Sequence, residues 1–502
     1  MNEIPATDEA DEPWEIAGNL DARAHETHTG VVVLMGALAY KAKKPICTDF
    51  LDFSTSAQRE EACRREVALN SRLAPDSYLG VAHFVAPGEA AAEPVVVMRR
   101  YADAIRLSTM VQAGQAVADR LDTIASTLAE FHRNAERGPS IDEQGSARAI
   151  VGRWTDNLDE LQRFPAVAAD VAGEIRTLVE QYFAGRADLF TGRVAERRIV
   201  DGHADLLADD IFCPPHGLAI LDCLEFDDNL RYVDGIDDAA FLAMDLEFLG
   251  RADLAELFLG HYTEYAGDNA PRSLIDLYIA YRAVVRAKVE YVRAEQGQDE
   301  ARDAARRHLD LALRHLRAGT VRLVIVGGGP GTGKSTVAHA LAPHLRAQVV
   351  STDDVRRELV AARVISGEPG TIDAGLYTPQ NVTAVYDEVL RRAHRQLTNG
   401  VSVILDGTWR DPQQRDRARR LAAETATPMA EFTCAVPLDR ASERIQTRTS
   451  TTSDATPQIA AALAEQDGHH TDGHVLDTSR PVAESVAEAQ RICGLEIVGD
   501  TK

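Results

Sequence analysis

The stretch from Val321 to Thr336, V-R-L-V-I-V-G-G-G-P-G-T-G-K-S-T, constrains the fold of this chain more than any other. It opens with mostly aliphatic and β-branched residues, which predict a buried strand. Gly328–Ser335 then match the pattern G-x-x-x-x-G-K-[ST], and an apolar-periodic helix follows over Val337–Leu345. A preceding strand and a following helix are the context that this motif requires. We therefore predict a phosphate-binding loop; the alternative is a chance glycine turn.

The residue types of this loop fit the binding of a nucleotide phosphate. Glycines allow successive backbone N–H groups to turn toward a phosphate, and the helix N-terminus adds partial positive charge. Lys334 is expected to reach the β- and γ-phosphates, and the Ser335 hydroxyl to bind Mg²⁺. ATP and Mg²⁺ are thus the expected cofactors. The predicted loop residues are Gly328, Gly329, Pro330, Gly331, Thr332, Gly333, Lys334, Ser335 and Thr336.

Length and charge limit the class of protein. A chain of 502 residues exceeds a single core, so two or three domains are expected. The net charge of −24 lies mostly in the first 317 residues and would repel nucleic acid and anionic membranes. We find no secretory signal, no membrane span and no C-x-x-C pair. We therefore expect a cytoplasmic protein without a nucleic-acid or membrane partner; its oligomeric state stays open.

The back half alternates between helical and strand patterns. We predict strands at 347–351, 401–405, 430–436 and 474–477, and helices at 379–398, 411–424, 438–449, about 456–466 and 481–491. Short apolar strands that alternate with helices predict a parallel sheet covered on both faces. The A-G-T at 318–320 is the expected boundary of a P-loop domain over residues 318–502.

Further candidate residues follow the strands of this predicted sheet. The stretch S-T-D-D-V-R-R follows strand 347–351, so Asp353 and Arg356 are expected to face bound phosphates. An alternative role for Asp353 is a helix N-cap, for which Asp354 is the better candidate. Asp406, after strand 401–405, is expected to ligate Mg²⁺, or else to be a turn residue before glycine.

The last candidates of the back half are arginines. Arg440, Arg444 and Arg448 recur on one helical face. We select Arg444 and Arg448 to stabilise the transferring phosphoryl group, with a solvated helix face as the alternative. Together these residues resemble the gluconokinase, polynucleotide-kinase and zeta-toxin group of P-loop kinases. That resemblance implies that Asp353 activates the acceptor hydroxyl and that Arg356 holds the acceptor.

The front half carries a different pattern. After an acidic tail over residues 1–20, three short strands with turns near Gly30 and Gly36 are expected, with Lys41 and Lys43 on one face of the third. A helix pattern over 58–73 contains Glu66, and V-V-V-M-R-R-Y reads as another strand. Helices follow, interrupted by R-R-I-V-D-G-H-A-D-L-L-A-D-D-I-F and G-L-A-I-L-D-C-L-E-F.

The carboxylates in these two segments are spaced as in a kinase. Asp205 and Asp210 have the spacing of D-x-x-x-x-N, and Asp222 ends the following strand. H-A-D-L-L-A-D-D resembles the H-G-D-L-H-x-x-N of aminoglycoside and choline kinases, with Ala204, Leu207 and Asp210 in place of Gly, His and Asn. The resemblance implies a bilobal, protein-kinase-like domain over residues 21–317.

The resemblance also implies a role for each matching residue of this domain. Asp205 would be the catalytic base, and Asp210 and Asp222 would be the Mg²⁺ ligands. Lys41, or Lys43 on the same face, would contact the nucleotide phosphates. Glu66 would pair with that lysine.

The whole chain resembles bacterial two-domain proteins that fuse an aminoglycoside-phosphotransferase-like domain to an AAA-type, gluconokinase-like ATP-binding domain. The implied fold class is α/β and α+β, and the implied activity is an ATP-dependent phosphotransferase acting on a small hydroxylated molecule. One alternative is an ATP-binding regulatory protein with a pseudokinase front domain. Another is a polynucleotide 5′-hydroxyl kinase or zeta-toxin-like kinase, which the acidic charge disfavours.

Overall fold

The structure is a computed structural model that describes residues 23–26, 30–46, 52–85, 92–167, 169–215, 217–368, 374–447 and 473–494. The predicted acidic tail and the helix predicted near 456–466 lie outside these residues. The chain forms two compact units, one of residues 1–117 and 208–227, the other of 118–207 and 228–502. The predicted boundary at 317/318 lies inside the second unit, so the domain bounds of 21–317 and 318–502 stay predictions.

The first half of the chain contains short strands and many helices. Its elements in chain order are β1 Arg23–Glu26, β2 Gly30–Met35, β3 Leu38–Lys43, α1 Ser56–Asn70, β4 Tyr78–Val85, β5 Ala92–Arg99, α2 Leu107–Gln112, α3 Ala118–Asn134, α4 Pro139–Gln144, α5 Ala147–Leu161, α6 Ala169–Ala184, α7 Ala187–Ala195, β6 Ile199–Asp201, β7 Ile211–Phe212, β8 Ala219–Ile220, α8 Asp228–Arg231 and β9 Tyr232–Asp234.

The second half begins with four helices and then alternates. Its elements are α9 Gly235–Phe248, α10 Ala252–Ala266, α11 Arg272–Glu295, α12 Ala301–Ala318, β10 Leu323–Gly327, α13 Lys334–Leu345, β11 Ala347–Ser351, α14 Thr352–Ala361, α15 Pro379–Thr398, β12 Ser402–Asp406, α16 Pro412–Glu424, β13 Met429–Ala435, α17 Leu438–Gln446, β14 His474–Asp477 and α18 Val482–Ile492. No helix in the described part of the chain combines the length and the apolar character needed to cross a membrane.

The first unit is built on an antiparallel sheet in the order β1-β2-β3-β5-β4. Helix α1 begins at a capping box: the Thr55 hydroxyl accepts the N–H of Gln58, whose side chain accepts the N–H of Thr55. Cys63 of this helix packs with Tyr78 and Val96 of the sheet in a small core. The three predicted strands β1, β2 and β3 are confirmed, whereas β4 was not predicted.

The second unit contains a parallel sheet in the order β11-β12-β10-β13-β14. Every residue of the central strand β10 is buried, as its unbroken apolar run predicts. Helices α13 and α18 cover the sheet through apolar side chains such as Leu341 and Val486. The predicted parallel sheet is confirmed. The first three strands in this order place their carboxyl ends at one edge, where ligands of such sheets bind.

The helices before residue 318 and the parallel sheet domain pack directly against each other within the second unit. Arg186 is 1% exposed, and its Nη1 donates to the carbonyl oxygen of Thr425 at 2.7 Å. A Cβ atom at Gly185 would lie 1.8 Å from the same oxygen, so only glycine fits there. At a second contact between the helices and the sheet domain, the Ser273 hydroxyl donates to the carbonyl oxygen of Gly400 at 2.6 Å. Cutting the chain at residue 318 would expose these groups, so the full chain is the form suited to functional measurements.

Candidate active site

Three glycines shape the loop between β10 and α13. Gly328, Gly331 and Gly333 have φ angles of +138°, +79° and +87°, which residues with side chains rarely adopt. A Cβ atom at Gly331 would lie 2.4 Å from the carbonyl oxygen of Ala441 in α17. The glycines are therefore required both by the backbone conformation and by the close approach of a neighbouring helix.

Side chains of the loop and of a later strand hold this conformation. The Thr332 hydroxyl donates to the carbonyl oxygen of Gly329 at 2.9 Å. The hydroxyl of Thr478, just after β14, donates to the carbonyl oxygen of Thr332 at 2.5 Å. Lys334, Ser335 and Thr336 form the first turn of α13, with Gly333 as its N-cap. The loop thus leads directly into a helix N-terminus, where the partial positive charge favours an anion.

Asp406 at the end of β12 lies directly beside the phosphate-binding loop. The Ser335 hydroxyl donates to its Oδ2 atom at 2.6 Å. Asp406 is only 2% exposed, and its Oδ1 atom is buried without a hydrogen-bond donor among the described residues. Burial raises the pKa of this carboxyl above its ordinary value, although Ser335 and Lys334 act in the opposite direction.

A magnesium ion fits this arrangement. The unsatisfied Oδ1 of Asp406 and the Ser335 hydroxyl are the oxygen ligands that Mg²⁺ prefers. In the described part of the chain, no three His, Cys, Asp or Glu side chains converge on a metal site. An ion at Asp406 would therefore complete its shell with phosphate oxygens and water, as Mg²⁺ commonly does in nucleotide sites.

Asp353 and Arg356 lie together on α14, a helix that was not predicted. The N-cap of this helix is Ser351, whose hydroxyl accepts the N–H of Asp353 at 3.3 Å. The alternative that Asp353 or Asp354 is the N-cap is therefore wrong. Arg356 Nη1 donates to Asp353 Oδ1 at 2.6 Å, and its guanidinium lies 4.7 Å from the ring centre of Tyr377. The negative charge of Asp353 also raises the pKa of Asp406, which places the two carboxylates within electrostatic range.

Of the two selected arginines, Arg444 lies beside the phosphate-binding loop. Its Nη2 donates to the carbonyl oxygen of Thr478 at 2.8 Å, and its Nη1 is 3.5 Å from the Cβ position of Gly333. Arg440 on the same helix is exposed, as a solvated helix face requires. Arg448 lies outside the described residues and stays a prediction.

Sequence reasoning missed an aromatic pair next to this site. Trp409 is 2% exposed with φ +49°, and its ring lies 4.9 Å from that of Tyr386 in an edge-on arrangement. Its indole N–H finds no acceptor among the described residues. In the D-G-T-W-R segment, the sequence pattern predicts a role only for the aspartate, Asp406. A bulky residue three positions after the strand end could have indicated that the segment also has a packing role.

The first unit brings together the predicted lysine, glutamate and one metal-ligand aspartate. Lys41 Nζ lies 2.9 Å from Glu66 Oε1 and 2.9 Å from Asp222 Oδ1. Lys43 Nζ lies 2.6 Å from Glu66 Oε2 and 2.7 Å from Glu225 Oε1. Both lysines therefore pair with Glu66, but of the two only Lys41 has an ion pair with Asp222.

The charges of this cluster stabilise one another. Burial alone would raise the pKa of Glu66, yet Lys41 and Lys43 hold it below its ordinary value. Burial would lower the pKa of Lys41, but Asp222 and Glu66 raise it well above the usual range. Asp222 itself has φ +63° and a side chain that is 48% exposed. The buried Glu66 and the two lysines thus favour one another's charged forms, and the Asp222 side chain is more exposed than that of Glu225.

The loop that carries Asp205 belongs to the second unit and is held by a buried aspartate of α9. Asp238 accepts the backbone N–H groups of His203 and Ala204, both at 2.7 Å, and its Oδ2 lies 3.0 Å from Nε2 of His132. These partners hold the pKa of Asp238 below its ordinary value despite complete burial. Ala204, which stands where the resembling kinases have glycine, has φ +68°. The loop therefore keeps a glycine-like conformation without the glycine.

Asp210, the remaining predicted metal ligand, lies in the first unit. It ends a short 3-10 helix, and its carbonyl oxygen accepts the N–H of Leu221 at 2.9 Å. This bond joins the segments that carry Asp210 and Asp222 in one unit. Asp205 lies close to the boundary at 207/208 and belongs to the second unit.

Comparisons with known proteins show which proteins this chain is similar to. The model of the AAA domain family matches residues 323–472. The uncharacterized protein Rv2004c of Mycobacterium tuberculosis strain H37Rv is 56% identical over 484 residues, which cover 96% of this chain and 96% of that protein. The chain belongs to the family of this mycobacterial protein.

Two further proteins are similar to parts of the chain. An adenylate kinase of Buchnera aphidicola is 31% identical over 130 residues, 25% of this chain and 57% of that enzyme. The solved GDP and kanamycin complex of APH(2″)-IIia superposes with a TM-score of 0.38 at 16% identity, over 60% of this chain and 95% of that chain. The family match over 323–472 confirms the AAA-type P-loop domain predicted for the back half. The predicted fold class, a mixed α/β front part followed by a parallel-sheet domain, is confirmed.

Proposed function

We propose that this protein is an MgATP-dependent phosphotransferase whose P-loop site transfers the γ-phosphoryl group to a hydroxyl of a small molecule. The observation that carries the proposal is the meeting of three groups at one edge of the parallel sheet. The phosphate-binding loop follows β10, Asp406 ends β12 beside Ser335, and Asp353 follows β11. A phosphate cradle, a metal ligand and a carboxylate that can act as a base, each at the end of a neighbouring strand, are the parts that phosphoryl transfer needs.

Each residue at this edge has a defined task in the proposed reaction. The loop N–H groups and Lys334 bind the phosphates, and Ser335 with Asp406 would hold Mg²⁺, which supplies charge neutralisation between the phosphates. Asp353 accepts the proton of the acceptor hydroxyl as its oxygen attacks the γ-phosphorus. Arg444, beside the loop, stabilises negative charge as the bond to ADP breaks.

The acceptor is proposed to be a small molecule that Arg356 helps to hold. Arg356 is positioned by Asp353 and by the face of Tyr377, which fixes its planar guanidinium. The net charge of −24 disfavours a polynucleotide as acceptor because the phosphate backbone would be repelled. Measurable binding of oligonucleotides at low salt would support the alternative of a polynucleotide or zeta-toxin-like kinase.

Replacing Asp406 with asparagine tests the proposed metal site. Asp406→Asn keeps the shape of the side chain but removes the charge that binds Mg²⁺. Mg²⁺ should increase the ATP affinity of the parent chain, and we expect this increase to be at least about tenfold smaller in Asp406→Asn. The measurement is calorimetric ATP binding with and without Mg²⁺, in an Asp222→Ala background that removes the predicted front metal ligand.

Asp416→Asn is the matched control for this experiment. Asp416 is an exposed aspartate of α16 that pairs with Arg419 at 2.9 Å, away from the loop. This variant should keep the full effect of Mg²⁺ on ATP affinity. The proposed metal site would be refuted by an unchanged Mg²⁺ effect in Asp406→Asn.

We propose in addition that the first unit contains a second nucleotide site. The specific observation is Lys41, which bridges the buried Glu66 and the half-exposed Asp222. A lysine fixed in this way presents its charge to a phosphate, and Asp222 with Asp210 would hold Mg²⁺. Asp205 belongs to the second unit, so its role as a catalytic base stays a prediction from the sequence. If the front domain is a pseudokinase, this site binds nucleotide without transfer or does not bind at all.

The front site is tested by thermal unfolding of the full chain carrying Lys334→Ala, which disables the P-loop. MgATP at about 100-fold its dissociation constant should raise Tm by on the order of 5 °C, because ligand binding stabilises the folded unit by mass action. Asp222→Ala should abolish this rise. Asp76→Ala should leave the rise in Tm unchanged. Asp76 is an exposed aspartate of the same unit, and the variant keeps the backbone carbonyl that accepts a hydrogen bond from Arg99. A missing rise with Asp222 intact would favour the pseudokinase alternative.

A further inference from the structure

A cavity of about 430 Å³ lies in the helical part of the second unit, apart from the P-loop site. Its volume is in the range of small-molecule sites. It is bounded by the end of α3, the segment before β6 and the end of α10. Four arginines dominate its lining, together with two buried side chains: Arg133, Arg137, Arg197, Arg198, His132 and Tyr262.

The guanidinium of Arg137 donates its hydrogen bonds to uncharged backbone carbonyl oxygens. Its guanidinium donates to the carbonyl oxygens of His132 at 2.6 Å, Ala135 at 2.8 Å, Arg197 at 3.0 Å and Arg133 at 3.1 Å. The carbonyls of His132 and Arg133 belong to the last turn of α3 and that of Ala135 follows it directly, so Arg137 also caps that helix. Burial and the positive charge of Arg197 lower its pKa from the ordinary value. Its charge is therefore held in place without a carboxylate partner among these contacts.

Arg198 is held in a similar way at the end of α10. It donates to the carbonyl oxygens of Ala266 at 3.1 Å and Gly267 at 2.7 Å, and the carboxylate of Glu196 lies 3.6 Å from its Nε. The other acid of the cavity, Asp268, is bound to the buried Arg193. Positive charge thus exceeds the available negative charge in this cavity.

We propose that this cavity binds a small phosphate-bearing anion. Guanidinium groups present forked donors that match phosphate oxygens, and arginine is favoured where such recognition is needed. A concave basic surface on a chain of net charge −24 also concentrates anions locally. The proposal does not depend on the reaction at the P-loop site.

The cavity also connects to the loop that carries Asp205. His132, which lines the cavity, bonds the Tyr262 hydroxyl through Nδ1 at 2.7 Å and Asp238 through Nε2 at 3.0 Å. Asp238 in turn holds the N–H groups of His203 and Ala204. An anion in the cavity would therefore act on the loop through the side chains of His132 and Asp238, and we expect its binding to slow hydrogen exchange at those two N–H groups.

The test uses the full chain with Lys334→Ala and inorganic pyrophosphate without Mg²⁺ as the probe. Arg133→Gln with Arg197→Gln removes two cavity charges at exposed positions and keeps the backbone carbonyls that Arg137 needs. We expect calorimetry to show at least about tenfold weaker binding, because charged hydrogen bonds are lost. Arg148→Gln with Arg302→Gln, two exposed arginines outside the cavity, is the charge-matched control and should bind as the parent does.

A second variant changes affinity in the opposite direction. Glu196→Gln removes a negative charge from the cavity and should tighten pyrophosphate binding, a gain that damage to the fold would not produce. The proposal is overturned if the parent binds no pyrophosphate or if both double variants bind equally. Binding with unchanged exchange of the His203 and Ala204 amides would refute the link to the loop.

Discussion

Replacing Asp353 with asparagine is expected to reduce phosphoryl transfer by on the order of 10²-fold or more while ATP affinity stays within a few-fold. The asparagine keeps the size of the side chain and can still accept a hydrogen bond from Arg356, but it cannot take the proton of an acceptor hydroxyl. The nucleotide contacts of the loop remain intact. Steady-state kinetics together with calorimetric ATP binding separate these two effects.

The control for this prediction lies next to it on the same helix. Asp354 pairs with Arg357 at 2.5 Å on the exposed side of α14, so Asp354→Asn changes the same charge without touching the site. Its transfer rate should equal that of the parent chain. Since Ser351 is the N-cap of α14, a loss of helix capping cannot explain a rate defect in Asp353→Asn. Full activity in Asp353→Asn would show that Asp353 is not the base.

The Lys334→Ala change is expected to lower transfer by on the order of 10²- to 10³-fold and to weaken MgATP binding at the P-loop as well. Lys334 is the one side-chain cation of the loop, and it lies where charge builds up on the phosphates during transfer. Fluorescence or calorimetric titration with MgATP, followed by a transfer assay, measures both effects.

Lys288→Ala provides the matched control for the P-loop lysine. Lys288 pairs with Glu160 at 2.8 Å among the helices of the second unit. Removing it deletes the same charge at a distance from the loop, so ATP binding and transfer should not change. Unaltered transfer in Lys334→Ala would mean that the P-loop site does not perform the reaction.

The parts of the site that follow a strand could be predicted from sequence because their signals are local. The strand, loop and helix around Lys334 are encoded by contiguous residues, and the apolar run before Asp406 places it at a strand end. The carboxyl ends of neighbouring parallel strands meet, which was enough to expect Asp353 near the phosphates. The helix α14 was missed because its polar start resembles a loop, although its Ser351 cap is a start signal.

Other features could not be predicted because they depend on residues far apart in the chain. Asp238 holds the loop of Asp205 from α9, and His132 supports it from α3. No spacing rule links these positions. The choice between Lys41 and Lys43 was likewise open, since alternation puts both on one face; only the placement of Asp222 distinguishes them.

The packing of the helices against the parallel sheet could not be predicted from the sequence either. Arg186 and Gly185 contact Thr425 across more than two hundred residues. The A-G-T at 318–320 predicts a boundary between domains, but it carries no information on whether the two sides pack together. The compact units consequently differ from the predicted domains.

The most direct test is to incubate the full chain with MgATP labelled with ¹⁸O in the γ-phosphoryl group and a pool of small hydroxylated metabolites, and to identify labelled products by mass spectrometry. We predict a labelled phosphate ester with the parent chain and with Asp205→Asn, and its loss in both Lys334→Ala and Asp353→Asn. The proposed function would be contradicted if the label appeared only in inorganic phosphate, or if the ester persisted in both P-loop variants and disappeared in Asp205→Asn.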